Sequence, residues 1–181
     1  MRVNFLALVA AFLLLGLGAC SPKLTPFTQR LVDENNWSED ELRRIQFYLS
    51  DDIVLRRQAS KGDAKIVSGE IKIVNGKRVE EIIIEKGTPG ILLFSPKENR
   101  FAVSFESGGD DRFLMFGPSP KSGSRYVLLA SNWKRNRGEI RYAGKKYYTS
   151  SESAYATLMV DLKRVRNVSV KTRKASGRTI K

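Results

Sequence analysis

Ile71-Lys72-Ile73-Val74-Asn75-Gly76-Lys77-Arg78-Val79-Glu80-Glu81-Ile82-Ile83-Ile84 is the stretch whose reading decides the fold. Two β-rich runs flank Asn75-Gly76, a dipeptide that readily takes the left-handed backbone of a two-residue hairpin turn. Outward from this hairpin the period stays that of strands. Phe101, Val103 and Phe105 alternate with Ala102, Ser104 and Glu106. Ile140 and Tyr142 alternate with Glu139 and Arg141, and Val168 and Val170 with Ser169 and Lys171. Such alternation marks strands with one buried face. Ile82-Ile83-Ile84 and Ile91-Leu92-Leu93-Phe94 read as buried on both sides or at a bend. Gly87-Thr88-Pro89-Gly90, Gly108-Gly109-Asp110-Asp111, Gly117-Pro118 and Ala143-Gly144 read as turns. Strands are expected near 53–58, 65–74, 79–86, 91–95, 100–106, 112–116, 125–130, 138–142, 146–149, 155–162 and 166–172. Short strands at this spacing predict a mainly β fold, an antiparallel barrel or sandwich. There is no βαβ rhythm to suggest a parallel nucleotide-binding sheet, and no internal repeat.

One α-helix is expected ahead of the strands. Ser38 caps a first turn that holds Glu39, Asp40 and Glu41, and Glu41 completes a capping box. Trp37 and Leu42 suit a hydrophobic staple across that cap. Leu42, Ile45 and Leu49 keep a helical spacing, so the helix is expected to run to about Ser50, with its stripe lying on a sheet.

The chain starts Met1-Arg2-Val3-Asn4, followed by an almost wholly apolar run from Phe5 to Leu17. Thirteen residues are too few to cross a hydrocarbon core, which needs about 20. A charged start, a short apolar run and small residues at its end form the pattern of a secretory signal peptide. Leu17-Gly18-Ala19-Cys20 resembles the lipobox of bacterial lipoproteins, and the only Cys of the chain holds the required position. The resemblance implies cleavage before Cys20 and diacylglyceryl attachment to its thiol. It also implies, with Ser21 rather than Asp after the Cys, transfer to the outer membrane, facing the periplasm. Two or three acyl chains, at about 0.8 kcal/mol per buried CH₂, anchor firmly where one is marginal. Residues 1–19 are thus expected to be a cleaved leader and 20–36 a lipidated tether and lead-in. Residues 37–181 are expected to form a single β-rich domain with a basic C-terminal tail, Lys171-Thr172-Arg173-Lys174-Ala175-Ser176-Gly177-Arg178. Asn36-Trp37-Ser38 with Ile45-Gln46-Phe47-Tyr48-Leu49, and Leu114-Met115-Phe116-Gly117-Pro118, also resemble uncharacterised lipoproteins of Bacteroidota, a resemblance that brings no activity with it.

Charge is distributed unevenly along the chain. The formal net charge is +13. Residues 20–120 hold 15 basic and 16 acidic side chains, whereas residues 121–181 hold 16 basic and three acidic. Five of the six tyrosines also lie in this last third, so basic and aromatic residues interleave. Trp133, Lys134, Arg135, Arg137, Arg141, Tyr142, Lys145 and Lys146 are the candidate ligand-binding residues, an electrostatic footprint for an anionic partner. Arg fits phosphate and carboxylate forks, and the rings could stack on sugars. The plainer alternative is a solvated strand face with Lys and Arg stems lying over it and its tyrosines buried.

Catalytic motifs are mostly excluded. The chain has no His and one Cys, which removes Ser–His–Asp and Cys–His catalysis, His-ligated zinc and an internal disulfide. Ser131-Asn132-Trp133-Lys134 matches the Ser-x-x-Lys of penicillin-binding enzymes, but the order relative to Lys121-Ser122-Gly123 is wrong. Gly138 to Gly144-Lys145-Lys146 has one residue too many for a P-loop and no Ser or Thr after its Lys. Asp51-Asp52 and Asp110-Asp111 lack the spaced ladder of a calcium loop and read as turn or cap residues. No cofactor and no metal is expected.

These readings lead to a lipid-anchored envelope protein, expected to be a non-enzymatic binding module. Its expected ligand is an anionic envelope component: an acidic polysaccharide, a lipid head group or peptidoglycan. Nucleic acid is not expected outside the cytoplasm. The alternatives are a structural or assembly subunit docking on an envelope protein complex, and a carboxylate-dependent hydrolase, which would need two facing carboxylates about 5–10 Å apart in a cleft.

Overall fold

The computed structural model describes residues 23–59, 70–74 and 76–165. Among them lie strands β1 (Leu24–Pro26), β2 (Phe47–Leu49), β3 (Ile53–Gln58), β4 (Glu70–Val74), β5 (Lys77–Ile84), β6 (Pro89–Lys97) and β7 (Arg100–Ser104). They are followed by β8 (Leu114–Ser119), β9 (Arg125–Leu128), β10 (Ser131–Lys134), β11 (Arg137–Tyr142), β12 (Lys145–Ser150) and β13 (Leu158–Asp161). The chain is mainly β and forms two antiparallel sheets. One sheet runs β1-β13-β2-β6-β7-β8-β9 and the other β10-β11-β12-β3-β5-β4.

The Ile71–Ile84 hairpin forms as its turn chemistry demands. Val74 lies opposite Lys77, and Gly76 takes φ +72°. Ala143-Gly144 joins β11 to β12 in the same way, both residues in the left-handed region at φ +48° and +69°. Of the two apolar runs read as buried on both sides or at a bend, Ile82-Ile83-Ile84 alternates like its neighbours, whereas Ile91-Leu92-Leu93-Phe94 holds a register shift between Leu92 and Phe94. Ile82 and Ile84 are buried while Ile83 is 49% exposed, and Ile91 is also half-exposed. Gly117-Pro118 is not a turn but lies within β8, where it pairs with Val127 and Tyr126.

The first sheet curls until its ends meet around Phe27. Phe27 N–H donates to the Leu158 carbonyl at 2.8 Å, and Tyr126 N–H to the Phe27 carbonyl at 3.0 Å. The contact between β9 and the opposite edge consists of the isolated bridges Thr28↔Arg125 and Val127↔Thr157. No continuous ladder joins them, so the sheet does not close into a barrel. Phe27, Phe47, Phe101 and Tyr126 are buried together inside the curl, with ring centroids 4.7 to 6.4 Å apart along the cluster. Each such side chain contributes about 1.5–3 kcal/mol by leaving water. Leu24–Pro26 and Phe27, read from sequence as tether, therefore belong to the sheet and the core.

The helical segments are shorter and more numerous than expected. Helix α1 (Gln29–Asn35) starts at Thr28, whose hydroxyl accepts from Leu31 N–H at 3.3 Å. Helix α2 (Glu39–Leu42) starts with the expected capping box. The Ser38 hydroxyl accepts from Glu41 N–H at 3.3 Å, and the Glu41 carboxylate accepts from Ser38 N–H at 2.8 Å. This helix does not continue to Ser50. It ends at Leu42, and Phe47–Leu49 form strand β2, with Phe47 opposite both Val160 and Gly90. Two ladders and a two-residue burial period prevail over the weaker helical spacing of Leu42, Ile45 and Leu49. A further short helix, α3 (Leu162–Val165), follows β13. The leader with Cys20, the expected strand 166–172, the basic run 171–178 and the first part of the expected strand 65–74 lie outside the described residues.

Candidate functional site

Alternation on β11 sorts the expected anion-binding residues onto two faces. Gly138, Ile140 and Tyr142 are buried, whereas Arg137, Glu139 and Arg141 point the other way. On β12, Tyr147 and Thr149 are buried, whereas Lys146, Tyr148 and Ser150 share the outer face with the β11 charges. Across the six-stranded sheet, the ladder places Glu139, Tyr148, Arg56 and Glu81 side by side.

Four of the eight expected residues, Trp133, Lys134, Arg135 and Arg137, border one concavity of about 880 Å³ together with Glu139 and Tyr148. Trp133 is 43% exposed. Its ring is seated over Gly138, where an added Cβ would approach Cζ2 to 2.8 Å. Arg141 and Lys146 lie on the same outer face, and Lys146 Nζ is engaged by Glu139 at 3.0 Å. That contact, with Asn132 and the nearby cations, holds the Glu139 carboxyl below its ordinary pKa against a smaller opposing effect of burial. Lys145 sits opposite Tyr142, on the other face of the strand pair. Tyr142 itself is buried and donates to Glu106 Oε1 at 2.6 Å. Burial first, and that carboxylate second, push its phenol pKa upward. Its ring belongs to the core and is not offered to a ligand.

A second concavity, of about 420 Å³, adjoins the first and shares Arg137 and Tyr148 with it. It opens beside the seam between β12 and β3, where the ladder has a single position, Tyr148↔Arg56. Arg56, Lys77 and Arg137 line it, Arg57 borders it with its side chain turned to the opposite face of β3, and among the described residues no carboxylate lines it. Three of these four cations come from β3 and β5, outside the basic last third. Sequence reasoning missed them because Arg56 and Arg57 are offset in any count along the chain by Glu81 and Glu80. The usable signal was the strand pairing itself, in which Arg56↔Glu81 and Arg57↔Glu80 are ladder partners.

That pairing also fixes the geometry on the two faces of the sheet. Arg57 Nε lies 2.5 Å from Glu80 Oε2, with the Arg57 side chain 12% exposed and Glu80 1% exposed. Tyr147 donates its hydroxyl proton to Glu80 Oε1 at 3.1 Å, and the Arg57 guanidinium lies 5.8 Å from the Tyr147 ring centroid. Burial is the main cause of the raised Tyr147 pKa, so this phenol stays a neutral donor. On the outer face, Glu81 is held between Lys72 Nζ and Arg56 Nε, each at 2.5 Å. Lys77 and Arg137 have no carboxylate partner among the described residues.

The arrangement suits recognition of an anion more than bond cleavage. Glu80 and Glu81 point to opposite faces of β5, each engaged by an Arg, so they do not face one another across a cleft. Asp52 Oδ1 accepts from Lys86 N–H at 2.7 Å, and Asp51 Oδ2 from the Ser50 hydroxyl at 2.7 Å, as turn residues do. Among the described residues, no group of three or more His, Cys, Asp and Glu side chains could hold a metal ion. Comparison of the chain with protein-family models, curated proteins and solved structures finds no match.

Proposed function

We propose that this chain is a lipid-anchored cell-envelope protein whose β-domain binds an anionic envelope component without catalysis. Acyl chains on Cys20 hold it at the outer membrane, facing the periplasm, and its two sheets stack as a sandwich. Leu17-Gly18-Ala19-Cys20 behind a short apolar run supports the anchor. No helix among the described residues is long and apolar enough to cross a membrane.

One observation carries the binding reading: a concavity lined by Arg56, Lys77 and Arg137, with no carboxylate of the described residues in its wall. The Arg137 guanidinium, which no carboxylate of the described residues engages, can meet a carboxylate, phosphate or sulfate with paired N–H donors. The test is binding of the processed chain to anionic and neutral envelope polysaccharides at low and high salt. Binding to the anionic polymer should weaken as salt rises, because screening shortens to about 3 Å at 1 M. Absence of binding to any envelope anion at low salt overturns the reading.

A further inference from the structure

We propose that the two concavities form one groove for a linear anionic glycan, with Arg137 contacting two consecutive anionic groups of the strand. This rests on the anion-binding reading above. Each side of the groove has its own cations: Arg56 and Lys77 on one, Lys134 and Arg135 on the other. Arg137 and Tyr148 border both. A ligand with one anionic group satisfies one side only. A ligand with repeated anionic groups satisfies both.

Volume argues for a ligand bulkier than a bare ion. A water molecule occupies about 30 Å³ of liquid. Concavities of about 420 and 880 Å³ would leave a lone oxyanion mostly in water. They match the size of sites that hold organic ligands, about 300–1,000 Å³.

Shape argues for a strand over a membrane surface. Arg137 and Tyr148 border both concavities, so the cations of the two sides lie along one depression. A flat layer of head groups reaches protruding cations, whereas a chain can lie along a groove. Of the aromatic rings, Tyr148 is covered by Arg137 at 4.4 Å and Tyr142 is buried, whereas Trp133, beside Gly138, is 43% exposed and lines the larger concavity.

The experiment compares galacturonate with tetragalacturonate, with neutral maltotetraose and phosphatidylglycerol vesicles as further probes, on the processed chain at low salt. A sulfated tetrasaccharide run in parallel separates carboxylate from sulfate as the preferred group, and length-dependent binding of either supports the groove. Linking two anionic groups makes the second contact intramolecular, so the tetramer should bind at least about tenfold more tightly than the monomer. Maltotetraose should not bind. Lys77→Ser and Lys134→Ser, one on each side, should each return the tetramer to within about threefold of the monomer. Equal affinity for monomer and tetramer overturns the groove and leaves simple anion binding standing. Vesicle binding without tetramer binding overturns it in favour of a head-group surface. No binding to any anionic probe overturns both this inference and the function on which it rests.

Discussion

The guanidinium carbon of Arg137 lies 4.4 Å from the centroid of the Tyr148 ring, diagonally across the β11–β12 ladder. The ring attracts the cation through its negative face, an effect worth about 0.5–1 kcal/mol at an exposed site. It also restricts a long, flexible side chain that would otherwise lose rotamer freedom on meeting an anion. Tyr148 is thus a positioning residue for Arg137. Tyr148→Phe keeps the ring face and should leave anion affinity within about twofold of wild type. Tyr148→Leu removes it and should lower affinity about two- to fivefold, which titration with tetragalacturonate would measure. If the two variants bind alike, the ring does not hold Arg137 in place.

Arg135 occupies the β10–β11 hairpin turn at φ +56°, a left-handed conformation that favours Gly and Asn. An L residue with a Cβ pays about 1–2 kcal/mol there. Arg135 also borders the larger concavity, so the strained position lies on the proposed binding surface. Arg135→Asn should stabilise the domain by about 0.5–1 kcal/mol, raising Tm by about 2 °C, and should weaken anion binding. Arg135→Ala keeps the strained backbone and should weaken binding with no gain in Tm. A thermal melt in which Asn is no more stable than Ala would remove the strain argument.

Much of the β architecture was legible because alternation and turn chemistry are local. The β4–β5 hairpin around Gly76, the β11–β12 turn at Ala143-Gly144 and the Ser38–Glu41 capping box all follow from adjacent residues. Strand β2 was not legible, since Leu42, Ile45 and Leu49 fit a helix while Ile45, Phe47 and Leu49 fit a strand. What decides is Val160 and Gly90, more than forty positions away in the chain. The site shows the same limit. The basic last third supplied Lys134, Arg135 and Arg137. Charge counted along the chain could not show that β3 and β5 bring Arg56, Arg57 and Lys77 beside them.

Glu81 should make the six-stranded sheet acid-sensitive. Hydrogen bonds from Lys72 first and Arg56 second hold its carboxyl below its ordinary value of 4.5, outweighing burial. The folded state therefore binds the proton less readily than the unfolded chain. The stability from this group is present above the ordinary carboxylate range and is lost as pH falls through the lower folded value. Urea midpoints taken from about pH 7 down to about pH 3 should fall more steeply for wild type than for Glu81→Gln. Parallel curves would mean that the two ion pairs are matched in the unfolded chain.

The Arg57–Glu80 pair separates a structural role from a binding role, because its two halves should move binding in opposite directions. Breaking a buried pair by removing one partner costs about 3–5 kcal/mol, since the other charge stays buried without its counterion. Arg57→Met and Glu80→Gln should both lower stability toward that range, read from urea unfolding. Their effects on the smaller concavity differ in sign. Arg57→Met removes a positive charge beside it and should weaken tetragalacturonate binding. Glu80→Gln removes the negative charge that offsets Arg57 and should strengthen it, even in a less stable protein. The double variant Arg57→Met/Glu80→Leu should recover most of the lost stability, as apolar replacements of buried pairs often do. It should bind no better than Arg57→Met alone. If affinity per folded molecule is the same in all four proteins, Arg57 serves only to pack β3 against β5, and the anion is held by Arg56, Lys77 and Arg137 without it.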